Sequence, residues 1–171
     1  MDLENKITSH FHWSPEVIAI TCISLCVVLG CLIPLVLAKA PSLLLKWSII
    51  AVVVIPIVYC AAWTPRYIAL IDDNLVFKKV VGNITIPIQT INKIYQIDSD
   101  TLNGSIRTFG SGGVFGYLGR FKNKVLGNYS MYITERKNLI VVKTNDTTYV
   151  FNCNNQQRFI SVIETSSDPR N

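Results

Sequence analysis

The chain has 171 residues, a formal net charge of +5, 50% hydrophobic residues and only 16% charged ones. A soluble domain usually carries about 25% charged residues, so this composition excludes a disordered chain, a collagen-like chain and a plain cytosolic globule. The apolar excess sits at the front, which is the pattern of a membrane protein with a soluble tail.

A helix rises about 1.5 Å per residue and the hydrocarbon core is about 30 Å thick, so about 20 apolar residues cross it. From Val17 to Ala38 there are 22 residues without a charge, and from Trp47 to Trp63 another 17. Leu43, Leu44 and Leu45 lengthen the second stretch, and Lys46 can reach the interface on its flexible stem. The expected spans are therefore 17–38 and 43–63, within an N-terminal segment 1–65. The turn Lys39-Ala40-Pro41-Ser42 joins them into a helical hairpin with both ends on one side. Trp13, Trp47, Trp63 and Tyr67 fall near the span ends, where aromatic belts form. Pro34 and Pro56 lie inside the spans, where neighbouring helices tolerate such breaks. A cleaved signal peptide fits poorly, because Asp2, Glu4 and Glu16 outnumber Lys6 ahead of the run and the run is too long.

Lys6, Arg66, Lys78 and Lys79 flank the open end of the hairpin, against Lys39 and Lys46 at the turn. Counting Lys and Arg near the span ends places both termini in the cytoplasm. Sequons at Asn83, Asn103, Asn128 and Asn145 matter only in a secretory lumen and do not alter this assignment. Residues 1–63 hold three basic and three acidic residues, and residues 64–171 hold 13 and 8, so the whole +5 belongs to the tail. Beside a bilayer such a tail feels anionic lipid at about 1 kcal/mol per well-placed Lys or Arg. Cys22, Cys26, Cys31 and Cys60 lie within the spans and Cys153 in the tail. Their spacing suits neither a disulfide framework nor a zinc site. His10 and His12 lack further ligands nearby, so neither a metal nor a cofactor is expected.

From Pro65 the period shortens. Tyr67–Ile71 closes on the turn Asp72-Asp73-Asn74, and Leu75–Val81 closes on Gly82-Asn83, a hairpin pattern. Ile84, Ile86 and Ile88 alternate, Ile91, Ile94 and Ile97 continue with mixed spacing, and Pro87 suggests an edge or a bulge. Ser130–Thr134, Leu139–Thr144 and Thr148–Asn152 follow as short strands between tight turns. After them Phe159, Val162 and Ile163 share one face of a helix expected over 155–165, with Asn154 or Asn155 as cap. Residues 66–171 thus read as a mainly-β domain, an antiparallel sandwich or barrel of about seven strands closed by a C-terminal helix.

Seven strands and one terminal helix resemble a pleckstrin-homology (PH) fold. The segment from Arg107 to Phe121, RTFGSGGVFGYLGRF, then Leu126-Gly127 and Tyr132-Ile133-Thr134, resembles the bacterial PH-domain family across residues 64–166. The resemblance implies a small sandwich carried behind two transmembrane helices, here at a bacterial inner membrane, and implies no particular activity. Phosphoinositide-binding PH domains place basic residues around the first hairpin turn. Here that turn is Asp72-Asp73-Asn74, which argues against specific inositol-phosphate binding.

Gly110, Gly112, Gly113, Gly116 and Gly119 cluster within ten residues. Neither the dinucleotide spacing nor the phosphate-loop spacing is present. The segment is expected as a folded loop packing its aromatics on the sandwich, or as a tip presenting Val114, Phe115, Tyr117 and Leu118 to lipid or a partner helix. Arg120, Lys122 and Lys124 alternate, so in a strand they share one face with Phe121 turned inward. The candidate binding residues are Arg107, Arg120, Lys122, Lys124, Phe115 and Tyr117.

An enzyme is not expected, since both histidines precede the first span and no triad or metal motif is present. A nucleic-acid partner is not expected either. The expected function is a membrane-anchored, non-catalytic PH-like module binding a protein partner or anionic lipid headgroups. The alternative is a structural or accessory subunit of a larger membrane complex, with homo- or hetero-oligomers formed through small residues such as Ser24, Gly30 and Ala51.

Overall fold

The computed structural model describes residues 8–37, 42–71 and 73–167. Lys6, Ala38, the turn residues Lys39 to Pro41, and Asp72 of the first β-turn lie outside the described residues.

A short strand, β1 (Thr8–His10), precedes two long helices, α1 (Pro15–Leu37) and α2 (Leu43–Ala62). Ser14 starts α1: its carbonyl accepts from the Ile18 amide and its hydroxyl from the Val17 amide. Pro15 then takes the first helical position, where its missing N–H costs nothing. Only Val17 and Thr21 are buried in α1, and no residue is buried in α2. A helix that is apolar all round needs apolar surroundings, and both are long and apolar enough to cross a membrane. The far ends meet where Lys46 Nζ donates to the Val36 carbonyl at 2.8 Å.

β2 (Pro65–Ile71), β3 (Asn74–Lys79) and β4 (Asn83–Pro87) form a meander, and β1 adds to its edge, giving the order β1-β2-β3-β4. The second sheet is built from β5 (Ile91–Ile97), β6 (Ile106–Gly112), β7 (Tyr117–Asn123), β8 (Gly127–Ile133), β9 (Leu139–Thr144) and β10 (Thr148–Asn152). Its order is β5-β9-β10-β8-β7-β6, antiparallel except where β8 and β10 run parallel. Helix α3 (Gln156–Ser167) follows. The mainly-β domain and its closing helix are as expected, but among the described residues the strands number ten rather than seven. The difference is β1, β6 and β7, whose polar or glycine-rich sequences carry little apolar alternation.

Alternation builds two cores. Ile68, Leu75, Phe77, Ile86 and Ile88 meet Ile94, Ile140, Val142 and Phe151 between the sheets, with Phe159 and Ile163 of α3 closing one end. On the other face of the larger sheet, Val141, Val150, Met131, Ile133 and Phe121 pack with Leu102. Strand β9 is therefore buried on both faces, which accounts for its unbroken Leu-Ile-Val-Val run. Each such side chain contributes about 1.5–3 kcal/mol by burial.

The glycine-rich segment is not a loop. It forms the β6–β7 hairpin, in which Gly110 faces Gly119 across the pair. A Cβ on Gly119 would strike the Phe109 carbonyl oxygen, and one on Gly110 the Leu118 carbonyl oxygen. The hairpin tip is seated on the helix bases. Thr21 Oγ1 accepts the Phe115 amide at 2.9 Å, and the Phe115 ring meets Trp13 edge-on at 6.0 Å. Tyr59 of α2 meets Phe109 of β6 at 6.2 Å, also edge-on.

Gly119→Ala is expected to lower the melting temperature in detergent well beyond Gly127→Ala. Both sites have positive φ, at +115° and +70°, but only Gly119 also meets backbone, so it adds a clash to strain of about 1–3 kcal/mol. Thr21→Val, which strands the Phe115 amide, is expected to cost about 1–3 kcal/mol and to expose the 113–116 turn to protease.

Candidate functional site

Where the two sheets part beside the C-terminal end of α2, they leave an open cleft of about 800 Å³. Register explains what lines it. Phe121 turns into the second core, so Arg120 turns the other way. Across the sheet Arg120 pairs with Phe109 of β6 and Ser130 of β8, and Ser130 pairs with Tyr149 of β10. Phe109, Arg120, Ser130 and Tyr149 thus form one row on the cleft face. Tyr132 stands two residues beyond Ser130 on the same face. Asp146 and Thr147, from the turn before β10, reach the rim.

The opposite wall comes from the start of the domain. Lys79 ends β3 opposite Pro65, next to the end of α2. Its Nζ lies 4.1 Å from the Trp63 ring centroid, and the Tyr132 ring stacks on Trp63 at 6.3 Å and 16°. Burial holds the Lys79 pKa below the usual lysine value, while the Trp63 face works the other way by favouring the ammonium. Burial, with smaller contributions from Tyr149 and Tyr59, pushes the Tyr132 phenol up to about 12, against the opposing pull of Arg120. Burial also raises Tyr129, despite the hydrogen bond of its phenol to Ser105 Oγ at 2.6 Å.

The cleft therefore offers two cations, one carboxylate, several hydroxyls and aromatic walls. Among the described residues neither Lys79 nor Arg120 is ion-paired. Among the described residues no histidine or cysteine lines it. Among the described residues, no group of three or more His, Cys, Asp or Glu converges.

Of the six candidate binding residues read from sequence, only Arg120 reaches this cleft. Lys122 lies two residues farther from the hairpin tip, about 7 Å along the strand, exposed on the same face. Lys124 falls in the turn after β7 rather than in the strand, so the three do not share one face. Arg107 precedes a bulge in β6 and lies over Gly112. Phe115 is the hairpin tip docked on α1. Tyr117 packs on the second core, with the Arg136 guanidinium 5.0 Å from its ring. The residues that sequence reasoning missed are Lys79, Trp63, Tyr132 and Tyr149. The Lys78-Lys79 pair was visible, but only the pairing of β3 back to the end of α2 sets Lys79 over Trp63.

Residues 66–167 match a family described as Bacterial PH domain. The chain belongs to the bacterial PH-domain family. PH domains are in general non-catalytic binding modules. No curated protein and no solved structure matched the chain. The match starts at Arg66, so β1, Tyr59 and Trp63 lie outside the matched segment.

Tyr132 supplies a pH test. The unfolded chain releases this proton near its ordinary value of 10.0, the folded chain only near 12. Between these values the native state binds the extra proton, so the Tyr132 contribution to stability is lost as pH rises from 10 to 12 and is constant below 10. Denaturant unfolding across this range is expected to show that fall, and Tyr132→Phe to reduce it.

Proposed function

We propose that this protein is a membrane-anchored, non-catalytic binding module. In this reading α1 and α2 cross a bacterial inner membrane as a hairpin, and the PH domain works at its cytoplasmic surface. It binds an anionic group or a protein partner there. The observation that carries the reading is the level at which the domain meets the helices.

Thr21 lies about 9 Å along α1 from Pro15, at 1.5 Å per residue. Beyond that contact 16 residues remain in α1 (Cys22–Leu37), and beyond Tyr59 16 remain in α2 (Leu43–Val58). Each stretch is about 24 Å long, close enough to the hydrocarbon core for modest thinning or snorkelling to absorb the difference. Trp13, Phe115, Tyr59 and Trp63 gather at the domain end of these stretches, where amphipathic rings favour the interface. The hairpin tip and the cleft mouth then sit at headgroup depth. Arg107, Lys122 and Lys124, exposed around the same sheet, add attraction to an anionic surface. Arg120 contacts the bound group.

An alkaline carbonate wash is expected to leave the full-length chain in the membrane pellet. Sidedness needs an introduced thiol, because Cys153 is buried. Ser99→Cys, on an exposed turn, in a chain whose five cysteines are replaced, is expected to react with an impermeant maleimide only after cells are opened. Release by carbonate overturns the anchor, and labelling of intact spheroplasts overturns the cytoplasmic placement. A stoichiometric partner crosslinked through the helices turns the reading to a subunit of a complex.

A further inference from the structure

We propose that the cleft beside α2 holds the phosphate-bearing headgroup of an anionic glycerophospholipid, whose acyl chains leave past Tyr59 and Phe109 into the bilayer. This deepens the reading above and rests on the membrane placement of the hairpin.

Size and charge come first. A volume of about 800 Å³ suits one headgroup with its glycerol, within the usual range of about 300–1,000 Å³ for small-ligand sites. Lys79 and Arg120 against Asp146 leave one positive charge in excess. A guanidinium can pair with phosphate through two parallel hydrogen bonds, and an ammonium adds a point charge. Ser130, Thr108 and Tyr149 bring hydroxyls to the same walls.

The mouth separates a lipid from a soluble phosphate. Tyr59 is 41% exposed and Phe109 57% exposed, yet the two rings meet at 6.2 Å beside the cleft. A free phosphate or sugar phosphate leaves that aromatic surface bare. A glycerophospholipid covers it with glycerol and the first methylenes, and α2 continues from Tyr59 as an apolar track for the chains. Lys79 over Trp63 places a cation at the helix end, where a headgroup arrives without leaving the membrane surface.

The full-length chain in non-ionic micelles, with Trp13→Phe and Trp47→Phe, leaves Trp63 as the reporter. Dihexanoyl phosphatidylglycerol is expected to shift its emission saturably. Dihexanoyl phosphatidylcholine and glycerol 3-phosphate are expected to act at least about tenfold more weakly, the factor for losing one charge-assisted or apolar contact. Lys79→Ser with Arg120→Ser is expected to lose about tenfold or more on the same grounds. Asp146→Asn, which removes the opposing carboxylate, is expected to tighten binding, a gain that misfolding cannot mimic.

No saturable Trp63 response, or one unchanged in the Lys79/Arg120 variant, overturns the proposal. Equal binding of glycerol 3-phosphate assigns the cleft to a soluble phosphate and overturns it as well. Carbonate extraction of the same protein separates the two readings. A chain that stays in the membrane with a silent Trp63 sinks only the lipid site, whereas a chain that washes free sinks the anchor beneath it.

Discussion

The amide of Phe115 points out of its own hairpin, and the acceptor it finds is the hydroxyl of Thr21, 94 residues earlier in the chain. That hydroxyl already donates to the Val17 carbonyl at 2.7 Å, so one side chain both continues its helix and completes a foreign turn. A buried amide left unpaired is costly, which gives this contact its directing power. Two further bonds act beside it: Thr134 Oγ1 donates to the His12 carbonyl at 2.7 Å, and the Ser14 amide to the Thr134 carbonyl at 3.1 Å. At the foot of α2 the Val80 and Val81 amides donate to the carbonyls of Thr64 and Ala62. The β domain is thus bonded to both helix ends in a fixed pose, and is more than a bead on a tether.

That pose creates the cleft. Tyr59 and Trp63 belong to the helix end, Lys79 to the first sheet, and Arg120, Tyr132 and Tyr149 to the second. All three groups are needed to line this cleft as it stands. The close facing of Gly110 and Gly119 matters for the same reason, because it lets β6 lie against β7 tightly enough to bring Phe109 beside Tyr59. A wider hairpin would move one wall away from α2.

Much of this architecture is readable in the residues. The expected spans 17–38 and 43–63 mark α1 and α2 within two residues of their ends where these are described. The alternation of Ile84 and Ile86 and the run Leu139 to Val142 mark strands, and Phe159 with Ile163 marks the helix that closes the core. Strand β1 is not readable, because Thr-Ser-His has neither length nor apolar rhythm and pairs only because β2 offers it an edge. The β6–β7 hairpin is hidden for the opposite reason: its glycines serve backbone approach and mask a strand pattern. The cleft is hidden most deeply. Phe121 and Arg120 do alternate as expected, but Lys79 and Arg120 lie in different sheets. Only the tertiary fold makes them neighbours, and sequence spacing encodes nothing of that. Lys124 continues the basic spacing in sequence, but the strand ends at Asn123.

Strand β1 has one more implication, for biogenesis. It precedes α1, while its partner β2 follows α2, with Thr8 opposite Ala69 and His10 opposite Tyr67. The hairpin is therefore an insertion within a single sheet. For a hairpin that spans a bilayer, these two strands can zip together only after both helices have threaded and returned, leaving their flanks in one compartment. A chain whose two helices did not return to the same end would leave the β2 edge without its β1 partner.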